Sequence, residues 1–505
     1  MSKRVIATLK KPNSDVCAEC RLQIVDVPKN IEGSVLQILI TYSVLLFVIC
    51  FGFINDANGQ INSSAKNNFQ TPNIVFIIAD DCTFRDIGCY GGQAFTPNID
   101  RLSTEGMKFS NCFQAAPMCS PTRHNIYTGL YPVKSGAYPN HTRAYDHIKS
   151  ITHYLKPVGY RVVQTGKKHF NPAKVFPFEH FPKSKNKFPD IAAIDNLFAE
   201  CKSANTPFCL FACSNSPHSP WTEGDASRYP PDDIKLPPYI VDTPILRKNF
   251  SNYLAEVTHF DSEVGSILAS LKHHQLDENT LVMVVSEQGN SFPFAKWTCY
   301  DSGLQSAMVV RFPGHIEPGV ISDALVEYVD VCPTLVDLAN AEEIDGLDGR
   351  SFLPVLLGDK INHKDFVFGI MTTRGIINGS EAYAIRSVRD KKYKLIKNLN
   401  FETKFTNACS KSVYFKSMVE KANLGDKDAK RLVNAYHYRP KIEFFDIQTD
   451  PLELNNLASD PAYQLEINRL SQELENWMSS QGDEGVVTEW KAHERQAPKR
   501  KSKKK

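Results

Sequence analysis

Short runs of apolar residues, each ending in polar residues, recur along the chain from residue 73 to about residue 290. Runs rich in β-branched residues predict strands that are buried on both faces of a parallel sheet. The predicted strands lie at 73–79, 160–165, 208–212 and 280–285, and the predicted helices lie at 96–106, 148–158 and 250–273. Strands that alternate with helices indicate an α/β fold with a large, mixed, mostly parallel sheet flanked by helices.

The pattern changes after about residue 370, where apolar and polar residues alternate in shorter segments at 382–389, 393–399 and 442–447. Such alternation predicts an antiparallel sheet with one solvated face. Asp460 and Pro461 predict the start of a final helix. Its apolar stripe consists of Tyr463, Ile467, Leu470, Leu474 and Trp477. We therefore expect a catalytic domain at 73–375, a smaller C-terminal α+β subdomain at 376–485 and a basic tail at 486–505.

Residues 34–54 form a run of 21 residues without a charge, which is long enough to cross a bilayer. An N-terminal extension of 33 residues precedes it, and Ala57 and Gly59 provide the small residues that a signal peptidase requires before Gln60. We favour a cleaved signal peptide within 34–59 over a type II membrane anchor, and a buried core helix is the third interpretation. With either a signal peptide or an anchor, the rest of the chain enters the secretory pathway after a linker at 60–72, and only an uncleaved 34–54 touches the membrane.

Net charge, glycosylation sequons and cysteine count limit the cellular compartments and binding partners that we expect for this chain. A net charge of +2 on 505 residues gives no overall bias towards nucleic acid, and we expect no nucleic-acid partner. Four Asn-x-Ser/Thr sequons, which agree with export, lie at Asn62, Asn140, Asn249 and Asn378. Thirteen cysteines do not make a disulfide scaffold in a chain of this length. Without Cys17, Cys20, Cys50 and Cys119, nine remain, so at least one thiol is unpaired.

Charged and polar side chains follow the predicted strands, where ligands of α/β sheets gather. The residues concerned are Asp80, Asp81, Lys167, His169, His218, Glu287, Gln288 and, a little further on, Lys296. Oxygen ligands suit Ca²⁺ or Mg²⁺, cations suit an anionic substrate group, and histidines move protons near neutral pH. Each residue alone is more often a cap or an ion-pair partner, but their joint arrival at strand ends indicates a site.

The segment Cys119-Ser-Pro-Thr-Arg123 predicts a reactive position at the start of a short helix. Pro121 suits the first helical position and Gly129 suits the end of the helix. Cys119 would then lie among unpaired backbone N–H groups at the positive end of the helix dipole. The alternative is a buried thiol beside a surface arginine.

Cys119-x-Pro121-x-Arg123 with Thr128-Gly129 resembles the signature of the type I sulfatases. The resemblance extends from about residue 73 to residue 477 and includes Asp80-Asp81, Gly166-Lys167-x-His169 and Pro217-His218 in the same order. It implies a fold of the alkaline phosphatase and sulfatase type. It also implies that Cys119 is converted to formylglycine by a formylglycine-generating enzyme during export.

The resemblance implies a role for each residue. Asp80, Asp81, residue 119, Glu287 and Gln288 would bind Ca²⁺, or Mg²⁺ in its place. One hydroxyl of hydrated formylglycine would attack sulfur, Lys296 and His218 would hold the sulfate and protonate the leaving group, and His169 would deprotonate the second hydroxyl, which expels sulfate. The residues that would support the hydrate are Arg123 and Lys167.

Within the family, Gly166-Lys-Lys-His169 followed by Val175-Phe-Pro-Phe178 is similar to the heparan N-sulfatases. Two departures stand out: Glu287-Gln288 replace a shorter Asp-Asn or Asp-His pair, and Lys296 stands where the heparan N-sulfatases have arginine. We expect an exported, lysosomal or extracellular sulfatase acting on a heparan-like glycosaminoglycan, at an N-sulfate or O-sulfate. A phosphatase or phosphonate hydrolase of the same fold, a catalytically silent carbohydrate-binding relative and a homodimer remain open.

Overall fold

The computed structural model describes residues 4–6, 23–25, 70–181 and 187–496. The chain separates into two compact units, Met1–Asn67 and Asn68–Lys505. In the first unit, the described residues form one antiparallel pair, β1 (Arg4–Ile6) with β2 (Gln23–Val25). The predicted signal segment at 34–59, the sequon at Asn62 and the lysine-rich end at 499–505 lie outside the described residues.

The second unit is built on a large mixed sheet. Its strands are β3 (Asn73–Asp80), β4 (Met107–Phe113), β5 (Arg161–Gly166), β6 (Glu179–His180), β7 (Phe208–Cys213), β8 (Thr280–Glu287), β9 (Gln305–Arg311), β10 (Val320–Ser322) and β11 (Val326–Glu327). The spatial order is β10-β4-β9-β8-β3-β7-β5-β6, and β11 also pairs with β4. Only β9 runs antiparallel to its two neighbours within this sheet, which confirms the prediction of a mostly parallel arrangement.

Strand β3 shows why the apolar runs predicted the fold. Its eight residues are all buried. Val75, Ile77 and Ala79 pack into one apolar cluster, whereas Ile74, Phe76 and Ile78 pack into another. Alternate side chains of a strand point to opposite faces, so both faces of the sheet are covered. The long helix Pro244–His273 contributes to the first cluster, and the helix Cys119–Thr128 contributes to the second.

The α-helices between and after these strands cover the sheet and the C-terminal region. They are Pro97–Glu105, Cys119–Thr128, Pro132–Ser135, Ile151–Leu155, Ile191–Ala204, Pro244–His273, Asp301–Leu304, Val331–Leu338, Leu353–Leu356, Val413–Asn423, Lys427–His437, Gln464–Gln481 and Val486–Lys491. In the part of the chain that the structure describes, no helix is both long and apolar enough to span a bilayer. The ten described cysteines are all free thiols.

The second sheet is antiparallel, in the order β12 (Val367–Met371), β13 (Ile385–Arg389), β14 (Tyr393–Asn398) and β15 (Ile442–Asp446). The expectation of one solvated face is wrong. Val388, Leu395 and Phe444 pack against the helix Gln464–Gln481, while Ile385, Ile396 and Phe445 pack into the core of the larger sheet. The helix Gln464–Gln481 therefore covers the sheet face that the alternating sequence pattern had predicted to be solvated.

The structure differs from the sequence expectations at two further places. Strand β12 begins at Val367, so the smaller sheet already includes residues before 376. Residues 486–496, assigned above to the basic tail, form the helix Val486–Lys491 and a 3₁₀ turn Ala492–Arg495, in which Thr488, Glu489 and Ala492 are buried. The division of the chain into domains stays a prediction.

Candidate active site

The carboxyl ends of β3 and β8 bring two acidic segments together. The strands are parallel neighbours, and their register pairs Asp80 with Glu287. Asp81 and Gln288 follow directly, and both are buried with a positive φ, 60° and 35°. Non-glycine residues in this backbone region are strained, and such strain concentrates at functional sites. Parallel pairing thus places four oxygen-bearing side chains at one edge of the sheet.

Cys119 is the first residue of the helix Cys119–Thr128, and its residue is 3% exposed. The helix begins two residues earlier than predicted, which makes Pro121 its third residue instead of its first. Proline is tolerated there because the first-turn N–H groups have no partner within the helix. Gly129 ends the helix with φ 68°, as predicted. Burial raises the pKa of the Cys119 thiol, against the lowering effect of Lys167 and Lys296, so the free thiolate is disfavoured.

Arg123, one turn into this helix, forms a fully buried pair with Glu287. Its Nη2 lies 2.5 Å from Oε2 of Glu287, its Nε lies 3.2 Å from Oε1, and its Nη1 donates to the carbonyl oxygen of Lys167 at 2.9 Å. Burial raises the pKa of Glu287, and the paired charge of Arg123 opposes that rise, so the ionised carboxylate depends on the bidentate contact with Arg123. Arg123 therefore links the Cys119 helix to β8 and to the loop after β5.

Two lysines face the two aspartates. Lys167 forms an ion pair with Asp80, and Nζ of Lys296 lies 2.6 Å from Asp81. Burial works against the charge of Asp80, but Lys167 and His218 hold its pKa below the usual value. Burial also lowers the pKa of Lys296, and Asp81 more than compensates, so the ammonium persists. Both aspartates are thus carboxylates at neutral pH.

Asp81 accepts further hydrogen bonds and lies beside His218. The amide of Gln288 donates to Asp81 at 2.6 Å, and the Ser291 hydroxyl donates to it at 2.9 Å. Nε2 of His218 lies 3.6 Å from Asp81 Oδ2. Asp81 raises the pKa of His218, but burial and Lys296 outweigh this effect, so the net shift is downward.

His169 lies at the other side of the site, in the loop after β5, with φ 49°. Its Nε2 is 2.8 Å from Nδ1 of His141, and its Nδ1 is buried without a hydrogen-bond partner in the described part of the chain. Burial lowers the pKa of His169 well below its usual value, and Lys167 adds to the effect. The ring is therefore neutral and able to accept a proton.

The donor set fits a divalent cation. One ligand atom each of Asp80, Cys119 and Glu287 lies within 4.8 Å of the others. Oδ1 of Asp80 and Oε1 of Gln288 are buried with no hydrogen-bond partner among the described residues, although buried acceptors are normally satisfied. Three carboxylates here are balanced by three cationic side chains, so a bound Ca²⁺ or Mg²⁺ leaves a positive site for an anionic substrate.

Sequence reasoning missed three residues that support this arrangement, because they lie in loops or inside a helix. Glu256 in the helix Pro244–His273 accepts from the amides of Thr222 and Glu223, at 2.5 and 3.0 Å, and from the Ser216 hydroxyl at 3.1 Å. It thereby holds both ends of the loop that carries His218. The other two are Ser291 and His141. An Asn-His-Thr sequon at 140–142 was the only signal near His141.

The C-terminal segment packs onto the loop that carries His141. Thr142 forms a β-bridge with Gln496, and the Thr142 hydroxyl donates to the carbonyl oxygen of Arg495 at 3.1 Å. Arg495 in turn donates to the carbonyl oxygens of Gly136 and Arg143 at 3.0 and 2.8 Å. The loop 136–143 is thus fixed from outside by residues that the sequence assigned to a tail.

Two family models match the chain: "Sulfatase" over residues 72–341, and the C-terminal model of N-sulphoglucosamine sulphohydrolase over residues 289–407. An ulvan-active sulfatase of Formosa agariphila is 35% identical over 421 residues, covering 82% of this chain and 81% of the relative. Human N-sulphoglucosamine sulphohydrolase is 26% identical, covering 80% of this chain and 89% of the relative. The solved structure of BT4656, in complex with its substrate D-glucosamine-2-N,6-O-disulfate, superposes with a TM-score of 0.61 at 19% identity and covers 82% of this chain and 99% of that chain.

These matches agree with the resemblance seen in the sequence and with the two-sheet architecture. The first model covers more than half of the chain and contains the segments from β3 to β9. The chain belongs to the sulfatase family, whose members are sulfuric ester hydrolases.

Proposed function

We propose that the chain hydrolyses a sulfate ester or sulfamate of a sulfated carbohydrate, with residue 119 as formylglycine and a divalent cation beside it. One observation carries the proposal. Cys119 begins a buried helix, its sulfur lies within 4.8 Å of carboxylate oxygens of Asp80 and Glu287, and two lysines pair with the aspartates at the same edge of the sheet. A buried thiol with a raised pKa is a poor nucleophile, whereas its oxidised form is suited to this position.

The cation would be held by Asp80, Asp81, residue 119, Glu287 and Gln288, and when bound it supplies positive charge that favours an ionised oxygen and an anionic substrate. Hydrated formylglycine would supply one hydroxyl that bonds to sulfur and a second that remains for the release of sulfate. A serine or cysteine ester lacks the second hydroxyl and would stall.

The remaining steps belong to the ionisable side chains around residue 119. Lys296 and His218 hold the sulfate and protonate the departing alcohol or amine. His169 takes the proton from the second hydroxyl, since its ring is neutral and its Nδ1 has no partner within the described chain. Arg123 and Lys167 screen charge and support the hydrate: Arg123 lies on the same helix as residue 119 and donates to the carbonyl oxygen of Lys167, and the Lys167 ammonium pairs with Asp80.

A heparan-like glycosaminoglycan is the preferred substrate class. The match of the N-sulphoglucosamine sulphohydrolase C-terminal model to residues 289–407 supports it, as do the human relative and the glucosamine disulfate bound to BT4656. A second candidate is an O-sulfatase acting on another sulfated polysaccharide. Lys296 and the 35% identity to an ulvan-active sulfatase favour this candidate.

The proposed cellular targeting of the protein rests on its N-terminal segment. We propose export through 34–59, conversion of Cys119 by a formylglycine-generating enzyme on the way, and a lysosomal or extracellular destination. Among the sequons, Asn378 is exposed in the fold, so a glycan can be accommodated there, whereas Asn249 is half-buried and its side-chain amide donates to the carbonyl oxygen of Ile245 at 2.7 Å.

The test uses protein made in a host with the modifying enzyme and four substrates: an N-sulfated heparan disaccharide, its 6-O-sulfated counterpart, ulvan oligosaccharides and an aryl sulfate. Sulfate release from the N-sulfated disaccharide alone selects the heparan N-sulfatase activity, and release from an O-sulfated carbohydrate selects the second candidate. A phosphate or phosphonate ester of the same aryl alcohol is the control. Faster cleavage of that control, or no sulfate release by protein with confirmed formylglycine, would contradict the proposal.

A further inference from the structure

Two histidines from separate loops form a continuous imidazole pair beside the site. Nε2 of His169 and Nδ1 of His141 are 2.8 Å apart, and the ring centroids are 4.8 Å apart. The inner nitrogen, Nδ1 of His169, is buried and without a partner among the described residues, while His141 is exposed to solvent. The pair therefore reaches from the interior to the surface.

We infer that His141 is a positioning residue for His169 and carries the proton that His169 takes up from the site to solvent. The inference rests on the proposed function, in which His169 accepts a proton from residue 119. It adds a residue and an exit path to that mechanism.

The hydrogen bond between the two rings defines a path along which His169 takes up one proton and His141 releases one proton to solvent. His169 with hydrogen on Nε2 donates to Nδ1 of His141 and leaves its own Nδ1 as acceptor. A proton from the hydroxyl of residue 119 binds Nδ1 of His169. The proton on Nε2 then moves to Nδ1 of His141, and the proton on the far Nε2 of His141 leaves to water. Both rings end neutral, with hydrogen on the opposite nitrogen from the start, and ring rotation or exchange with water restores them.

Ser120, the neighbour of Cys119, links the two loops that carry the histidines. Its hydroxyl donates to the carbonyl oxygen of His169 at 3.0 Å and accepts from the amide of Thr142 at 3.3 Å. The residue that follows Cys119 thus sets the spacing of the pair. His124, one turn further along the helix, bonds the carbonyl oxygen of Asn171 at 3.0 Å and fixes the loop after His169.

The outer loop is held on its other side as well. The amide of Asn140 donates to the carbonyl oxygen of Arg374 at 3.3 Å, and Thr142 bridges to Gln496. Contacts on both sides of His141 limit its backbone, whose φ is 55°. A strained backbone held by its surroundings is a feature of functional sites, and here Ser120, Arg374 and Gln496 hold the loop from three directions.

The surrounding charges keep the pair neutral between turnovers. Burial lowers the pKa of His141, and Lys167 and Lys296 lower it further. Lys167, His141 and Arg123 act with burial on His169, and Asp80 opposes them. Both rings are therefore neutral at rest, and a proton that passes through the pair is released quickly and not retained.

The test compares His141→Ala and His141→Gln with His147→Ala, a matched exposed histidine six residues along the same segment. Formylglycine content and melting temperature are measured first, so that only converted, folded protein is compared. We expect kcat to fall about 10-fold to 100-fold in both His141 variants, less than the roughly 100-fold to 10,000-fold effect of a direct proton-transfer group, because His141 acts through His169, with KM changed by less than about twofold. Added imidazole should restore part of kcat in His141→Ala, and His147→Ala should match the parent chain.

A second measurement needs no turnover. In the full-length Cys119→Ala chain with ¹⁵N-labelled histidine, NMR should show His169 protonated on Nε2, and His141→Ala should shift that nitrogen while His147→Ala does not. Unchanged kcat, a change in KM alone, or a His169 signal insensitive to His141 would each overturn the inference. Absence of sulfatase activity in the parent chain would contradict the proposed function, and the NMR result would still decide whether the pair is coupled.

Discussion

Arg123 and Glu287 are joined by two hydrogen bonds although both side chains are fully buried. The pair links the second turn of the Cys119 helix to the last residue of β8. Burial of two charges carries a large desolvation penalty. The bidentate geometry of the pair offsets this penalty. Arg123 of the family signature therefore holds the Cys119 helix in place against strand β8.

Loss of this pair should destabilise the fold. Arg123→Met leaves Glu287 buried without its cation, and we expect the free energy of unfolding to fall by about 3–5 kcal/mol. Chemical denaturation measures this value. Arg143→Met, which removes a surface pair with Asp146, is the control and should change stability far less. The double variant Arg123→Met with Glu287→Met should regain part of the loss; no recovery would show that the cost lies elsewhere in the packing.

Cys119→Ser should bind substrate and release no more than one equivalent of the desulfated alcohol, because the sulfo group stays on the serine oxygen. A serine hydroxyl can accept the sulfo group, but it has no second hydroxyl to expel it. A burst experiment on an aryl sulfate measures the stoichiometry. Sustained turnover by this variant would remove formylglycine from the assignment.

Added Ca²⁺ should raise the melting temperature of the parent chain. Binding to the folded state alone stabilises it by about 2.7 kcal/mol at a free cation concentration 100 times Kd. Asp80→Asn removes one ligand charge and should abolish most of the response. Asp86→Asn is the matched control, because Asp86 is also buried but is bonded to Tyr253 and Asn290. An equal response in both variants would place the cation elsewhere.

Glu263 should make the fold less stable as pH rises. Its carboxyl accepts from the Ser214 hydroxyl at 2.5 Å, and burial raises its pKa from 4.5 to about 7. Between these values the folded state binds more protons than the unfolded state, so the free energy of unfolding falls with increasing pH. We expect Glu263→Gln to remove a loss of up to about 3 kcal/mol between about pH 4.5 and pH 7. Denaturation curves across that range measure it, with the exposed Glu278→Gln as control; parallel curves for both variants would exclude Glu263.

The buried parallel strands were predictable because strands covered on both faces consist of continuous apolar runs rich in β-branched residues. The run at 73–79 became β3, and its end delivered Asp80. Strands β4 and β9 escaped prediction, since β4 is rich in polar residues and β9 owes its place to pairing with β4 and β8. The burial of the second face of the smaller sheet results from packing against the helix Gln464–Gln481. The alternation of apolar and polar residues along a strand does not reveal such packing.

The candidate site likewise contains residues that the sequence pattern predicted and residues that only the structure revealed. Each residue delivered by a strand end or by the Cys119 motif lies at the carboxyl edge of the large sheet, and the roles given to these residues remain predictions. His141, Ser291 and Glu256 come from contacts between segments far apart in sequence, 28 residues for His141 with His169 and 210 for Ser291 with Asp81. Spacing along the chain carries no information about such contacts.

The packing of residues 486–496 onto the loop 136–143 has a consequence for biosynthesis. These residues lie far beyond Cys119 in the chain, so the contacts that they make with the loop can form only after residues 486–496 have been synthesised. In the finished fold Cys119 is 3% exposed and out of reach of another enzyme. Under the proposed function, conversion of Cys119 would therefore have to precede the docking of residues 486–496 onto the loop 136–143.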